Sequence, residues 1–317
     1  MKKIFVICLV TLSISFLTVK VFAASRFVGN LNSSNSSKEG VTLSGVTVSP
    51  ILSTVSINKG QTLTENVSAF DNNLTPINVS IVFANFVSAN EYGQPKFEKI
   101  FKSNINDGDL TVSSQPSYLL KSRTPTSIPI TISAKSYALP GEYFVGVFAD
   151  ISKFVPGKQV QVSGAVGSLF LIRIAGNAKE TGFIKSFSAN SPFFTSLPVN
   201  FTTDFVDTGN VHLIPEGEID IYNMFGQKVK TIIFNPNNNI VLPVGVNQRI
   251  FSNTWNSNSL LFGQYTARLF LTYGYNKVTT VESDSTFWVV PYWIIIIIVL
   301  VFIFILWQII ARLLRRF

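Results

Sequence analysis

The chain has 317 residues, with 25 basic and 17 acidic side chains, a formal net charge of +8, and 47% hydrophobic against 13% charged residues. That length suits about two domains, and the hydrophobic fraction excludes a disordered chain. A positive balance would suit a polyanion binder if the basic residues formed one patch, so their positions decide the matter.

All acidic residues lie between Glu39 and Asp284. Eight basic residues lie outside that range, six of them at the two extremes: Lys2, Lys3 and Lys20 in the first twenty residues, and Arg312, Arg315 and Arg316 in the last six. Without those six, 19 basic residues face 17 acidic ones, so the interior of the chain is nearly neutral. No basic stripe interleaved with aromatics remains there, and nucleic acid is excluded as a partner on charge.

Lys2-Lys3 is followed by an apolar run from Ile4 to about Val19 and then by Val21-Phe22-Ala23-Ala24. A basic start, an apolar run and small residues are the order of a secretory signal peptide, here residues 1–23, with cleavage expected after Ala23 or else Ala24. An uncleaved anchor helix is the alternative. Cys8, the one cysteine, lies inside this segment. The exported part is therefore expected to hold no disulfide, thiol nucleophile or thiolate metal site. Residues 24–40, rich in Asn and Ser, read as a flexible spacer.

From residue 41 the pattern is short β-rich runs cut by Gly, Pro, Asn and Asp. Val55-Ser56-Ile57 leads to a turn at Asn58-Lys59-Gly60, and Leu63 to Phe70 leads to another at Asp71-Asn72-Asn73. An alternating run follows at Ile77–Phe83, and later strands are expected at Ile128–Ile132, Tyr143–Phe148 and Ser168–Ile174. Such alternation places one face on a core and one in water. The polar, Gly-bearing segment Gly176–Gly182 is the expected boundary. Beyond it, runs at Phe183–Ser188, Leu197–Phe205, Gly217–Tyr222, Lys228–Phe234, Arg249–Trp255, Tyr265–Tyr273 and Lys277–Trp288 form a second set. Turns at Phe225-Gly226-Gln227 and Tyr273-Gly274-Tyr275-Asn276 separate some of them. The expected fold is all-β: two tandem immunoglobulin-like β-sandwiches, an outer one over 41–176 and a membrane-proximal one over 181–290.

Pro291-Tyr292-Trp293 opens a stretch in which Ile294 to Leu306 contains no polar residue. Residues 291–311 are long enough to cross the hydrocarbon core as a transmembrane helix. Tyr292, Trp293 and Trp307 suit the two interfaces, and Arg312, Arg315 and Arg316 in the tail 312–317 mark the cytoplasmic end. No LPxTG-type sorting motif precedes the helix; Leu242-Pro243-Val244-Gly245 is the nearest match. The expected topology is a single pass at a cell membrane, with the bulk of the chain extracellular and membrane lipid around the helix.

Catalytic chemistry finds little support. His212 is the one histidine, and no Gly-x-Ser-x-Gly elbow accompanies it. A lone histidine of this kind is more often a surface or hydrogen-bonded residue than a triad base, and it is too few for zinc. Asp204 with Asp207, or Glu216, Glu218 and Asp220, are the carboxylates a glycosidase would need. Alternation puts Glu216, Glu218 and Asp220 on one strand face, read as a solvated outer face. Asn104-Ile105-Asn106-Asp107-Gly108-Asp109 is a loose likeness of a calcium loop, without the spacing or final Glu of an EF-hand, and an Asp-Gly turn is the plainer reading. Weak calcium binding at Asp107 and Asp109 stays open. No catalytic, cofactor-binding or metal-ligating residue is assigned.

The cadence Val46-Thr47-Val48-Ser49-Pro50, Ile57-Asn58-Lys59-Gly60-Gln61-Thr62 and Val67-Ser68-Ala69-Phe70-Asp71-Asn72 resembles fibronectin-like and immunoglobulin-like surface domains. The order of parts resembles the bacterial WxL-interacting proteins, as do Gly141–Val147, Asp207–Leu213 and Asn223-Met224-Phe225-Gly226. The resemblance implies a non-enzymatic role, with the outer module peptidoglycan-binding and the inner one holding a partner surface protein. The expected function is a cell-surface binding or scaffold protein that engages cell-wall polymer or another envelope protein. An accessory structural subunit of an envelope membrane complex is the alternative, and an envelope hydrolase a distant third.

Overall fold

The computed structural model describes residues 41–43, 45–102, 104–151, 164–257 and 261–314. The expected signal segment with Cys8, the spacer, Arg315 and Arg316 lie outside the described residues.

Alternation builds the first two sheets. In β4 (Thr62–Asp71) Val67 and Ala69 point inward while Asn66 and Ser68 point out. In β10 (Pro125–Ala134) Ile128, Ile130 and Ile132 point inward. The two strands pair antiparallel with Ile128 opposite Val67, so their apolar sets share one face. Around them run β1 (Val41–Leu43), β2 (Val46–Ser49), β7 (Asn104–Asn106) and β8 (Leu110–Ser113), giving the order β1-β2-β4-β10-β8-β7. The facing sheet is β3 (Leu52–Ile57), β12 (Ala165–Ile174), β11 (Gly141–Asp150), β5 (Ile77–Ser88) and β6 (Pro95–Phe101), with β9 (Ser117–Leu120) also on β5. Val67, Ile81, Phe83, Ile130, Ile132, Phe170 and Ile172 fill the space between the sheets.

The second pair of sheets is β13 (Gly182–Ala189), β15 (Val199–Asp207) and β18 (Gln248–Trp255) against β14 (Phe193–Phe194), β20 (Thr279–Val289), β19 (Gly263–Tyr273), β16 (Glu216–Asn223) and β17 (Lys228–Phe234), in that order. Its core is aromatic. The Phe287 ring lies 5.7 Å from Phe194, 5.6 Å from Phe201 and 5.9 Å from both Trp255 and Tyr265, mostly edge-on. Such pairs add about 0.5–1.5 kcal/mol each beyond the area they bury.

Both modules close by the same device. The chain enters in one sheet, then crosses and lies parallel to the last strand of the other. In the first module β2 pairs with β4, and after Pro50 and Ile51 β3 runs parallel to β12, Leu52 beside Leu169 and Ile57 beside Ile174. In the second, β13 pairs with β15, and then β14 runs parallel to β20 with Phe193 beside Trp288. The fold is therefore all-β, in immunoglobulin-like sandwiches, followed by one helix.

That helix, α1 (Tyr292–Leu314), starts after only Val290 and Pro291. Its stretch Tyr292–Arg312 spans 21 residues with a mean hydropathy of 3.3, and none of it is buried against the protein. At 1.5 Å per residue it is about 31 Å long, matching a hydrocarbon core of about 30 Å. By length and composition it is a candidate membrane span.

Phe287→Ala removes the ring at the centre of the aromatic core, where Phe287 is 1% exposed. The expected cost is about 3–5 kcal/mol. It is measured as a fall in the urea midpoint of the detergent-solubilised protein, followed by the fluorescence of the neighbouring Trp255.

Candidate functional site at the junction of the two modules

The two modules meet over an apolar seam. Leu52, Phe86, Phe144, Leu169 and Leu171 turn from the outer face of the first module's second sheet toward Ile240 and Leu242 of the second module, with Phe97, Ile214 and Val244 beside them. Leu169 and Leu171 face this seam while Phe170 and Ile172 face the first core. β12 is thus buried on both faces, which is why Ser168-Leu169-Phe170-Leu171-Ile172 is nearly continuous in apolarity.

Backbone bonds cross the seam. Ser88 N–H donates to Val244 O at 3.1 Å, Val246 N–H donates to Ser88 O at 3.0 Å, and Ile250 N–H donates to Glu91 O at 2.7 Å. Gly245 sits between them at φ +74°, and a Cβ there would fall 2.3 Å from Ser88 O, so only glycine fits. Arg249 of β18 lies beneath this contact, 4% exposed, and its Nη1 donates to Ile240 O at 2.8 Å. Burial pulls its pKa down to about 10, which still leaves the guanidinium charged at neutral pH.

The polar half of the junction centres on Glu142 of β11, whose side chain is wholly buried. Its carboxylate accepts from His212 N–H at 2.7 Å and lies 2.7 and 2.8 Å from His212 Nδ1. Glu142 N–H donates to Asn210 O at 2.9 Å, and Asn210 Nδ2 donates to Pro140 O at 3.0 Å. Asn210 Oδ1 also accepts from Lys179 N–H at 2.7 Å, which ties in the connecting segment. On the flank Arg173 of β12 pairs with Glu180 and lies over the Tyr275 ring. Asp207, at the end of β15, accepts from Gly209 N–H at 2.8 Å, while its buried Oδ2 has no hydrogen-bond partner among the described residues.

These surroundings move two protons. Burial disfavours charge on the His212 imidazole, but the Glu142 carboxylate beside it outweighs that and holds its pKa above the usual 6.5. Burial raises the Asp207 carboxyl to about 7, against the opposing pull of the Gly209 N–H. His212, read from the sequence as a surface or hydrogen-bonded residue, is the hydrogen-bonded kind, in the loop between β15 and β16.

The other carboxylates lie apart from this cluster. Asp204 pairs with Lys185 at 3.0 Å, and Glu216 pairs with Lys277. Glu218 is exposed, but Asp220 is 5% exposed and pairs with Lys228 at 3.1 Å. The expected solvated face of β16 therefore holds for Glu218 and not for Asp220, because the long Lys228 side chain and Thr231 on neighbouring β17 close over it. Hydrogen bonds from Thr231 and Lys228 overcome the burial of Asp220 and lower its pKa. Asp107, Gly108 and Asp109 form a turn with Gly108 at φ +74°, and Asp109 accepts from Tyr143 O–H at 2.7 Å. Among the described residues no three His, Cys, Asp or Glu side chains are grouped to hold a metal ion.

A groove beside the seam, lined by Phe86, Glu98, Asp107, Glu142, Tyr143 and Val244 among others, has a volume of about 240 Å³. Pockets for drug-sized ligands run from about 300 to 1,000 Å³. The sequence hid the junction because its parts, Glu142 and His212, lie 70 residues apart. The continuous apolar run of β12 was the one local signal of a second buried face.

No family model matches the chain, and no curated protein matches it. Solved structures match the chain at low identity and low TM-score. The class 5 fimbriae chaperone CfaA is 15% identical over 76% of this chain and 98% of its own, with a TM-score of 0.42. The E. coli chaperone DraB is 10% identical over 77% and 96%, with a TM-score of 0.32. The fibronectin(III)-like modules of Clostridium thermocellum CbhA are 12% identical over 78% and 94%, with a TM-score of 0.20.

Asp207 and His212 both hold protons more tightly folded than unfolded, so their contribution to stability falls as pH rises. For Asp207 it is complete below its unfolded value, near 4, and lost as pH rises to about 7. For His212 it is complete below about 6.5 and lost above its raised folded pKa. The unfolding temperature of the detergent-solubilised protein is expected to fall between pH 5 and pH 8. Asp207→Asn is expected to flatten that fall, unfolding later than the parent at pH 8.

Proposed function

We propose that the chain is a non-enzymatic, membrane-anchored surface protein whose two β-sandwich modules engage an envelope component. In this reading residues 1–23 direct export and are removed, and 24–40 form a spacer. The modules over 41–176 and 181–290 lie outside the cell, α1 crosses the membrane, and Arg312, Arg315 and Arg316 stay inside.

One observation carries the reading: two sandwiches clamped to each other stand directly on an apolar helix. Such an arm presents its outer faces at a set distance from the membrane. Asp204, Glu216 and Asp220, the carboxylates a hydrolase would draw on, are each held by a lysine. The edge strands β6 and β17 carry Lys96 and Lys99, and Lys228 and Lys230, which guards them against pairing with another chain. In this reading recognition falls to the faces and loops of the modules. Following the resemblance to WxL-interacting proteins, the outer module binds wall polymer and the inner module a partner surface protein.

The test is retention of the full-length protein, in lipid nanodiscs, on purified peptidoglycan or on an envelope protein fraction. Retention is expected, and it is expected to survive replacement of residues 292–311 by an unrelated apolar helix. Loss of retention on that replacement would favour an accessory subunit that works through its helix. Retention by neither material would reject the binding role.

A further inference from the structure

The pole of the second module from which α1 leaves is apolar. Strand register brings its parts together. Val289, the last residue of β20, pairs with Gly263 of β19 and with Phe194 of β14, and Trp288 pairs with Phe193. Phe262 directly precedes Gly263. Asn223 pairs with Tyr265, so the β16–β17 hairpin tip with Met224 and Phe225 reaches the same level, and Met224 lies against Gly263. Phe193, Met224, Phe225, Phe262 and Trp288 thus gather within about three residues of the strand ends, roughly 10 Å along the sheet.

These side chains face outward: Phe225 is 75% exposed, Phe193 66%, Phe262 55%, Met224 46% and Trp288 42%. The segments 190–198, 223–227 and 286–293 contain no Asp, Glu, Lys or Arg. The first charge beyond the hairpin, Lys228, is tied back to Asp220 at 3.1 Å. The opposite pole of the same module carries Glu180, His212, Glu216 and Lys277. The lack of charge thus belongs to one end only. A cluster of exposed large apolar residues of this kind marks a binding surface.

The joint to the helix says what covers it. Only Val290 and Pro291 separate β20 from α1, and Val290 N–H donates to Phe194 O at 2.7 Å. Trp288 N–H donates to Pro192 O at 2.8 Å. The start of α1 is thereby fastened to the module instead of hanging on a free linker. When Tyr292 stands at the edge of the hydrocarbon core, the pole stands in the headgroup layer, which adds about 5–7 Å on each side. Trp and Tyr favour that layer, and Trp, Phe and Leu form the buried face of segments that lie in it.

We propose that this pole is a membrane-docking surface. Phe193, Met224, Phe225, Phe262 and Trp288 enter the interfacial layer of the bilayer around α1 and hold the second module against it. The proposal rests on α1 being a membrane span. Because these segments hold no cation, docking is set by apolar and aromatic contact and not by anionic lipid.

The experiment uses the full-length protein with Cys8 replaced by Ala, reconstituted in phosphatidylcholine vesicles. Single cysteines carry an environment-sensitive fluorophore in Phe225→Cys, Leu300→Cys and Tyr275→Cys, the last at the opposite pole. Lipid-borne nitroxides are expected to quench the probe severalfold more at 225 and 300 than at 275. Adding phosphatidylglycerol is expected to leave the quenching at 225 unchanged. Quenching at 300 with a water-like probe at 225 overturns docking while leaving the anchor intact, and assigns the pole to a protein partner. A water-like probe at 300 overturns the anchor and docking together. A severalfold rise at 225 with phosphatidylglycerol overturns the uncharged mode of attachment.

Discussion

The contact on which the architecture depends is the buried Glu142 carboxylate held by the 210–212 segment. A carboxylate taken out of water is costly unless its oxygens are matched by donors. Here the His212 N–H and imidazole meet it from the other module. Such a pair adds little net stability over an apolar replacement, yet breaking it by removing one partner is expensive, about 3–5 kcal/mol. Its physical effect is to favour one angle between the modules, because any other angle leaves the charge unmatched. The apolar seam of Leu169, Leu171, Ile240 and Leu242 supplies the driving force, and Glu142 supplies the register.

Much of the strand content was legible because it rests on local alternation. β17 matches the expected run Lys228–Phe234 at both ends, and β10 and β4 follow their Ile and Val pattern. The hairpin tips at Gly226 and Gly274 show the positive φ that made them readable. What escaped was decided at long range. β14 is two residues long and exists only because β20 offers a parallel edge. β7 to β9 are only three or four residues long, and their neighbours define them more than their composition does. Asp220 alternates with Glu218 as expected, but Lys228 covers it, and that cover comes from the partner strand. The junction was the least visible part, since no window of sequence contains both Glu142 and His212.

The second module is polar in the directional sense. Its charged end, with Glu180, Glu216 and Lys277, adjoins the first module, and its uncharged aromatic end adjoins α1. With no cysteine beyond Cys8, neither sandwich has a covalent staple, and each is held by core packing and by the crossing of its first strand.

The placement of β20 also determines how the protein would carry tension. The chain enters the second module at Gly182, paired with Asp207 near the junction, and leaves at Val289 at the far pole. A pull between an anchored helix and a load on the outer module therefore runs lengthwise along the strands. β20 is bonded to β19 over its whole length, from Thr279 to Val289, so the rungs of that ladder share the load in shear instead of opening one after another like a zipper. In that geometry a tether at α1 would pull against the whole β19–β20 ladder and not against its end alone.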